Sequence, residues 1–304
     1  MRRDPATTPV DSLQRVCDVL EAFEQGQFVV YYQGIFDCGT RRLHGTEALV
    51  RWLQPADGLV GPGAFLETVM RSGLAPRFTA WVLDEALSAC AGWRLVGCDA
   101  GVSVNVSGVE CADVELPVKV AAALERHGVP AHQVTIELTE QSCAAQASQL
   151  LPVLQGLARL GVRLSMDDFG VGESSLTRLR ELPFDEVKLD RSFVQEIHLN
   201  PTDRHIVSYT TRLARELGIK VVAEGVETPD VLHTLEDLGV ECVQGYLLHR
   251  PSPASGLPFG VEPTVPAQAV AARRVSAHIE ATSLAPIQPY ADVPTGDPAR
   301  GRRR

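Results

Sequence analysis

Eight polar side chains fall at the ends of successive β-rich runs: Glu47, Asn105, Glu137, the adjacent pair Asp167 and Asp168, Lys188, Glu224 and Gln244. Five of the eight are carboxylates. Taken singly, each reads as a strand end that meets solvent or caps the next helix. Taken together they imply chemistry. If the strands share one rim, the acidic groups converge there, and like charges at short range repel unless cations lie between them. An all-oxygen donor set suits magnesium or manganese. Two such ions sharing a carboxylate suit in-line attack on a phosphodiester, one activating water and the other steadying the phosphate charge.

This reading needs elements that carry distant residues to one rim. β-rich runs are expected near 28–36, 43–50, 101–106, 133–138, 163–166, 186–189, 220–223 and 241–243, which makes eight. Helical patterns separate most of them, for example over 64–72, 77–94 and 118–127, and strands alternating with helices imply a mostly parallel sheet. Leu160-Gly161-Val162, Leu217-Gly218-Ile219 and Leu238-Gly239-Val240 share one pattern, a helix ending at a Gly that takes the left-handed conformation before a short strand. In the preceding helices Leu150, Leu154, Leu157 and Ala158 fall on one face, as do Ile206, Leu213 and Leu217, and Thr228-Pro229 supplies an N-cap followed by Pro. Eight units predict an α/β fold, a (β/α)8 TIM-like barrel whose catalytic groups stand at the carboxyl ends of the strands. The first two runs are joined by about six residues, too short for a parallel crossover, so the barrel is expected to begin with an irregular, antiparallel strand.

The predicted division is a lead-in with one helix over 1–26, the barrel over 27–260, and a Pro/Ala-rich, mostly disordered tail over 261–304. A formal charge of −10 argues against sequence-independent binding to duplex nucleic acid. No apolar run approaches the roughly 20 residues of a membrane span, and Met1-Arg2-Arg3-Asp4 is not followed by an apolar signal region, so no membrane partner and a cytoplasmic location are expected. Seven scattered cysteines without a C-x-x-C pair indicate neither a disulfide framework nor a zinc cluster. Trp52, Trp81 and Trp93 are expected to pack rather than to stack on a ligand.

Thr46-Glu47-Ala48-Leu49-Val50-Arg51-Trp52 resembles the motif that names the EAL domain family. The resemblance extends from about Gln33 to Pro253 through Ser103-Val104-Asn105-Val106-Ser107, Glu137-Leu138-Thr139-Glu140, Asp167-Asp168-Phe169-Gly170, Val187-Lys188-Leu189-Asp190, Ala223-Glu224-Gly225-Val226-Glu227 and Gln244-Gly245-Tyr246, in the family's order. It implies a phosphodiesterase that converts cyclic di-GMP to linear pGpG with two Mg2+ or Mn2+ ions, acting as a homodimer. It further implies that Glu47, Asn105, Glu137, Asp167 and Glu224 bind metal and that Asp168 completes the two-metal site. Lys188 would sit beside the attacking water, Gln244 would position water or substrate, and Glu140 would anchor the loop after Asp168. Gln33, Leu49 and Arg51 would face the dinucleotide, Arg51 through a charge-assisted contact to phosphate.

Three places depart from the family pattern. Gly34 stands where Pro is usual and is expected to loosen the backbone beside the substrate. Val171 and Glu173 replace Thr and Tyr in the loop after Asp168, and Glu67 and Met70 replace Pro and Glu further upstream. The altered loop motivates an alternative, a catalytically weak or inactive domain that serves as a cyclic di-GMP receptor or a protein-interaction module. Glu227 reads equally well as a functional acid and as a charge favouring the next helix start.

Overall fold

Aliphatic residues alternate with polar or small ones along the predicted runs 101–106, 133–138, 163–166 and 186–189, and that period of two separates a lumen face from a helix-covered face. The structure, a computed structural model, describes residues 9–172 and 175–259. Its strands are β1 (Phe28–Asp37), β2 (Leu43–Gln54), β3 (Gly58–Val60), β4 (Gly101–Asn105), β5 (Val134–Thr139), β6 (Arg163–Phe169), β7 (Glu186–Leu189), β8 (Lys220–Ala223) and β9 (Cys242–Val243). They lie in the order β1-β9-β8-β7-β6-β5-β4-β2-β3, and a further pairing of β1 with β2 closes eight of them into a barrel, with β3 outside it as a hairpin arm. The pairs from β2 through β4 to β9 are parallel. β1 is antiparallel to both neighbours, as the short connection to β2 requires.

The helices are α1 (Pro9–Glu24), α2 (Leu66–Arg71), α3 (Ala75–Leu95), α4 (Gly108–Cys111), α5 (Leu116–His127), α6 (Glu140–Leu160), α7 (Ser175–Glu181), α8 (Arg191–Val194), α9 (Pro201–Leu217) and α10 (Pro229–Asp237). Gly161 and Gly218 cap α6 and α9 with φ of 87° and 73°, and Gly239 follows α10 with φ of 75°, so these helix-to-strand turns form as predicted. Thr228 caps α10 by accepting from Val231 N.

The main apolar core is a shell between strands and helices. Val102 and Val104, Ile136 and Leu138, Leu164 and Met166, and Val187 and Leu189 face outward into it and are almost completely buried. Their alternates face the lumen, where Ile35, Val222 and Cys242 form a separate small apolar cluster. Below the rim Ser165 Oγ donates to Glu186 Oε1 at 3.0 Å, so even the middle of the lumen is polar and satisfied. At one end of the barrel Phe23 of α1 packs with Phe28, Phe78 and Trp81, and Phe28 packs in turn on Trp52 and Phe65. Trp93 is buried edge-on against Tyr32. All seven cysteines are free.

Several expectations change. β2 continues to Gln54, so Glu47 sits in mid-strand rather than at a strand end, because β1 still pairs with β2 beyond the rim. β3 was not anticipated, since three residues are too few to show a period. The helix expected over 64–72 starts at Leu66, after a 3-10 turn over Pro62–Ala64. In α6, Leu150, Leu154 and Leu157 are buried but Ala158 is exposed. In α9 the buried face is Val207, Thr211 and Ala214, while Ile206 and Leu217 are exposed. Both apolar stripes are compatible with a helix, and only contact with the barrel chooses between them. Glu173 and the tail over 261–304 lie outside the described residues.

Candidate active site

Alternation along β7 puts Val187 and Leu189 into the shell and turns Lys188 into the lumen, where it is fully buried. Its ammonium lies 2.7 Å from Glu224 Oε1, 3.0 Å from Glu137 Oε2, 3.1 Å from Glu47 Oε2 and 3.6 Å from Asp167 Oδ1. Four carboxylates from four separate stretches therefore meet around one cation. Asn105 Nδ2 donates to Glu47 Oε1 at 2.8 Å, and Gln244 Nε2 donates to Glu47 Oε2 at 2.7 Å and to Gln33 Oε1 at 3.2 Å. The parallel register sets Asn105 opposite Glu137, and the antiparallel register sets Gln33 opposite Glu47. Gln33 reaches the rim from the middle of β1 because that strand runs the other way.

Asp167 and Asp168 are neighbours, so an unbroken strand would send one to the lumen and the other to the shell. β6 breaks its register between Met166 and Phe169, and Asp168 adopts φ of 56°, in the left-handed region that Asp tolerates better than most residues. That kink keeps Asp168 at the rim, half-buried, instead of driving a carboxylate into the apolar shell.

The electrostatics are those of an over-acidic pocket. Burial, then Asp167 and Glu47 nearby, push Glu224 up to about 7 despite Lys188. Burial also raises Glu137 well above the usual range, with Glu47 and Asp167 adding to it. Burial and Asp167 raise Asp168. For Glu47 burial acts upward as well, but Lys188 and the donors Gln244 and Asn105 outweigh it and hold the carboxyl low. Burial would lower Lys188, yet Glu137, Glu224, Glu47 and Asp167 together keep the ammonium charged far past its ordinary range.

Among the described residues no three His, Cys, Asp or Glu side chains are already drawn in to ligand distances. The carboxylates close on Lys188 instead. The donor set nevertheless fits hard divalent cations: it is all oxygen, its acidity exceeds what one ammonium neutralises, and buried Glu137 Oε1 and Gln244 Oε1 have no hydrogen-bond partner.

A cleft of about 220 Å³ opens over the cluster, lined by Gln33, Glu47, Leu49, Asp167, Glu224 and Gln244, and on its outer side by Arg191, Glu227 and Tyr246. A larger cavity of about 770 Å³ lies at the other end of the barrel beside Arg42, His44, Cys98 and Asp99, where β2 and β4 begin. None of the clustered carboxylates lines it, so size does not locate the chemistry here.

The pattern of the EAL domain matches residues 16–251. The chain belongs to the EAL domain family. It is 39% identical over 248 residues to the bifunctional diguanylate cyclase/cyclic di-GMP phosphodiesterase MucR of Pseudomonas aeruginosa, covering 81% of this chain and 36% of that protein. It is 38% identical over 246 residues to the cyclic di-GMP phosphodiesterase NbdA of the same organism, covering 81% of this chain and 31% of that one. The chain thus spans about a third of the length of these relatives. Among solved structures, the MucR phosphodiesterase in complex with c-di-GMP superposes with a TM-score of 0.76 at 39% identity, over 80% of this chain and 98% of that one. The barrel with one antiparallel strand is the EAL fold.

In this EAL domain Glu140 is buried at the start of α6 and does not line the cleft. Its Oε2 accepts from Gly170 N at 3.1 Å and Gly172 N at 3.0 Å, which ties down the loop after Asp168. A Cβ on Gly172 would come within 2.5 Å of Glu140 Oε1, so the close approach requires glycine. Leu49 borders the cleft, whereas Arg51 donates to Val50 O at 2.8 Å and lies outside the lining. Glu227 lines the cleft, and its neighbour Thr228 caps α10.

Gly34 does not leave the EAL domain slack. Its N–H donates to His249 Nδ1 at 3.1 Å, His249 O accepts from Gln33 Nε2 at 3.1 Å, and His249 Nε2 lies 3.2 Å from Ser252 Oγ. With Nδ1 accepting, Nε2 carries the proton towards Ser252. A proline at 34 has no N–H to give, and a Cβ there would meet the Phe36 ring at 2.7 Å. Gly34→Pro is therefore expected to lower stability by about 1–3 kcal/mol. Urea denaturation checks this, and an unchanged midpoint would remove the significance of the His249 contact. His249, Arg191 and Tyr246 were not singled out in the sequence as site residues. For His249 a signal existed, a glycine donor where the family pattern has none.

Proposed function

We propose that this domain hydrolyses cyclic di-GMP to linear pGpG with two divalent ions, Mg2+ or Mn2+, in the cytoplasm and as a homodimer. The observation that carries the reading is the convergence of Glu47, Glu137, Asp167 and Glu224 on Lys188. The names of the relatives support it, and phosphodiesterases of this family generally depend on divalent metal. Glu47, Asn105, Glu137, Asp167, Asp168 and Glu224 would hold the ions. Bound there, they would polarise the phosphoryl group and make water more acidic.

The chain's own residues do the rest. Water adds to phosphorus, the bond from phosphorus to the ribose 3′ oxygen breaks, and the products are a 5′-phosphate and a 3′-hydroxyl on one linear dinucleotide. The carboxylates around Lys188 favour its charged form, and it donates hydrogen bonds that hold Glu47 and Glu137 in register. Gln244 is fixed through Nε2 on Glu47 and Gln33, which leaves its unpartnered Oε1 to accept from water or from a ribose hydroxyl. Glu140 keeps the Asp168 loop in place.

Incubation of the purified protein with cyclic di-GMP and each metal, followed by chromatography of the products, tests the proposal. pGpG is expected; tight binding with the cyclic form intact under every metal would favour the receptor alternative and end the enzymatic one.

Metal-free protein should also reveal the strained acid. Glu224 has a folded pKa of about 7 against an ordinary value of 4.5, so the folded state binds the extra proton between those limits. Ionising it costs the folded state stability as pH rises through that window, and the cost is complete above about 7. Glu224→Gln, compared with wild type in chelator, is expected to have a similar Tm at pH 4.5 and a higher one at pH 8. Equal Tm values at pH 8 would contradict the shift.

A further inference from the structure

We propose that His249 is a positioning residue of the active site: its imidazole stands in for a strand carbonyl opposite Gly34 where the barrel closes, and so holds Gln33 and Gln244 in place beside the carboxylates. This rests on the phosphodiesterase reading above. β1 is laddered to β2 from Phe28 to Phe36, but to β9 only through Phe36 with Val243 and Asp37 with Cys242. Its rim half therefore closes on the segment that follows β9. Every second N–H of β1 points to that seam. Cys38 N donates to Glu241 O and Tyr32 N to Ser252 O, both at 2.7 Å. Between them the acceptor for the buried Gly34 N is a side chain, His249 Nδ1 at 3.1 Å. Proline, usual at this position in the family pattern, has no N–H to satisfy, so the contact belongs to this chain's departure from that pattern.

The ring is held in the form that the contact needs. Ser252 Oγ donates to Pro253 O at 3.2 Å and lies 3.2 Å from His249 Nε2, so it accepts there and the ring's proton sits on Nε2. Burial holds the imidazole below its ordinary pKa, against a smaller opposite pull from the Gly256 backbone, so Nδ1 stays bare at neutral pH.

The same residue reaches the chemistry through its backbone. His249 O accepts from Gln33 Nε2 at 3.1 Å, Gln33 Oε1 accepts from Gln244 Nε2 at 3.2 Å, and that Nε2 also donates to Glu47 Oε2 at 2.7 Å. His249 does not line the cleft, so it acts through these amides. Its carbonyl is fixed on one side by the turn in which His249 N donates to Gly245 O at 3.0 Å, and on the other by the ring's bond to Gly34. Without that bond the Gly34 N–H is orphaned in the seam and the carbonyl that orients Gln33 can shift. A displacement of about 1 Å in a positioning group costs up to about a hundred-fold in rate.

The test compares wild type with His249→Ala, His249→Asn and His249→Gln. Asn places its Oδ1 where Nδ1 stands, whereas Gln is nearer the ring in size but carries its amide at the Nε2 position. His249→Ala and His249→Gln are expected to lower kcat/KM for cyclic di-GMP about ten-fold, and His249→Asn to stay within about three-fold of wild type. Amide exchange followed by NMR gives a readout independent of turnover: Gly34 N–H should exchange about ten-fold faster in His249→Ala and His249→Gln than in wild type and His249→Asn. A residue that only fills space would rank the variants by size, with Gln ahead of Asn. If wild type cleaves cyclic di-GMP while His249→Ala stays within about two-fold of it, His249→Asn is as impaired as His249→Ala, or Gly34 exchanges alike in every variant, the positioning role is refuted and the enzymatic reading stands. If wild type does not cleave the dinucleotide, both fall.

Discussion

Lys188→Met is expected to destabilise the metal-free protein by about 3–5 kcal/mol and to slow hydrolysis of cyclic di-GMP by about 10²- to 10⁴-fold. The stability effect follows from what the ammonium holds. Four carboxylates lie within 3.6 Å of it, two of them on residues as buried as Glu137 and Glu47. Removing the cation leaves them facing one another, and some will take up protons rather than stay ionised. The penalty should therefore shrink as pH falls and should be partly reversed by millimolar Mg2+. The rate effect has a separate cause: the charged group that orients the centre of the site is gone, whatever the metal does for stability. Denaturation in chelator and in Mg2+, alongside initial rates, measures both. A variant as stable as wild type in chelator at pH 8 would mean that the carboxylates do not depend on Lys188.

The second large effect is at Glu47. Glu47→Ala is expected to lower turnover by more than about a thousand-fold, the several kcal/mol of transition-state stabilisation that a metal centre supplies. Calorimetry should show weaker Mg2+ or Mn2+ binding in parallel. Stability should change little, by less than about 2 kcal/mol, because two terms oppose each other. Asn105, Gln244 and Lys188 each lose an acceptor, while one of four mutually repelling carboxylates disappears. The two variants thus differ in kind, Lys188 acting on stability and rate and Glu47 on rate alone. Undiminished pGpG production by Glu47→Ala would exclude this carboxylate from the metal site.

The two predictions also explain the polar lumen. A (β/α)8 barrel usually fills its interior with branched aliphatic side chains. Here Ile35, Val222 and Cys242 form one small apolar cluster, and the rest of the interior holds charged and amide groups joined by hydrogen bonds, with Glu137 Oε1 and Gln244 Oε1 left without a partner. Most of the apolar burial lies outside the strands, so the rim can be acidic without undermining the core.

By itself the sequence determined the eight-stranded, mostly parallel architecture with its antiparallel first strand, because most of its parts are local patterns: a period of two, a terminal glycine, a Thr-Pro helix start, a connection too short for a crossover. It also determined which residues could do chemistry, since a carboxylate or amide recurring at the close of one run after another is visible without any knowledge of pairing. What only the tertiary structure decided is non-local. That Glu47 lies in mid-strand, that Asp168 turns left-handed to keep its carboxyl at the rim, that α9 buries Val207 rather than Ile206, and that Lys188 is the hub of the acids all depend on how distant strands align and which helix face meets them. The same holds for the bond from Gly34 to His249 across more than two hundred residues. Local propensity specifies elements, whereas register and barrel closure are fixed by contacts whose partners are far apart in the chain, and no local pattern encodes those.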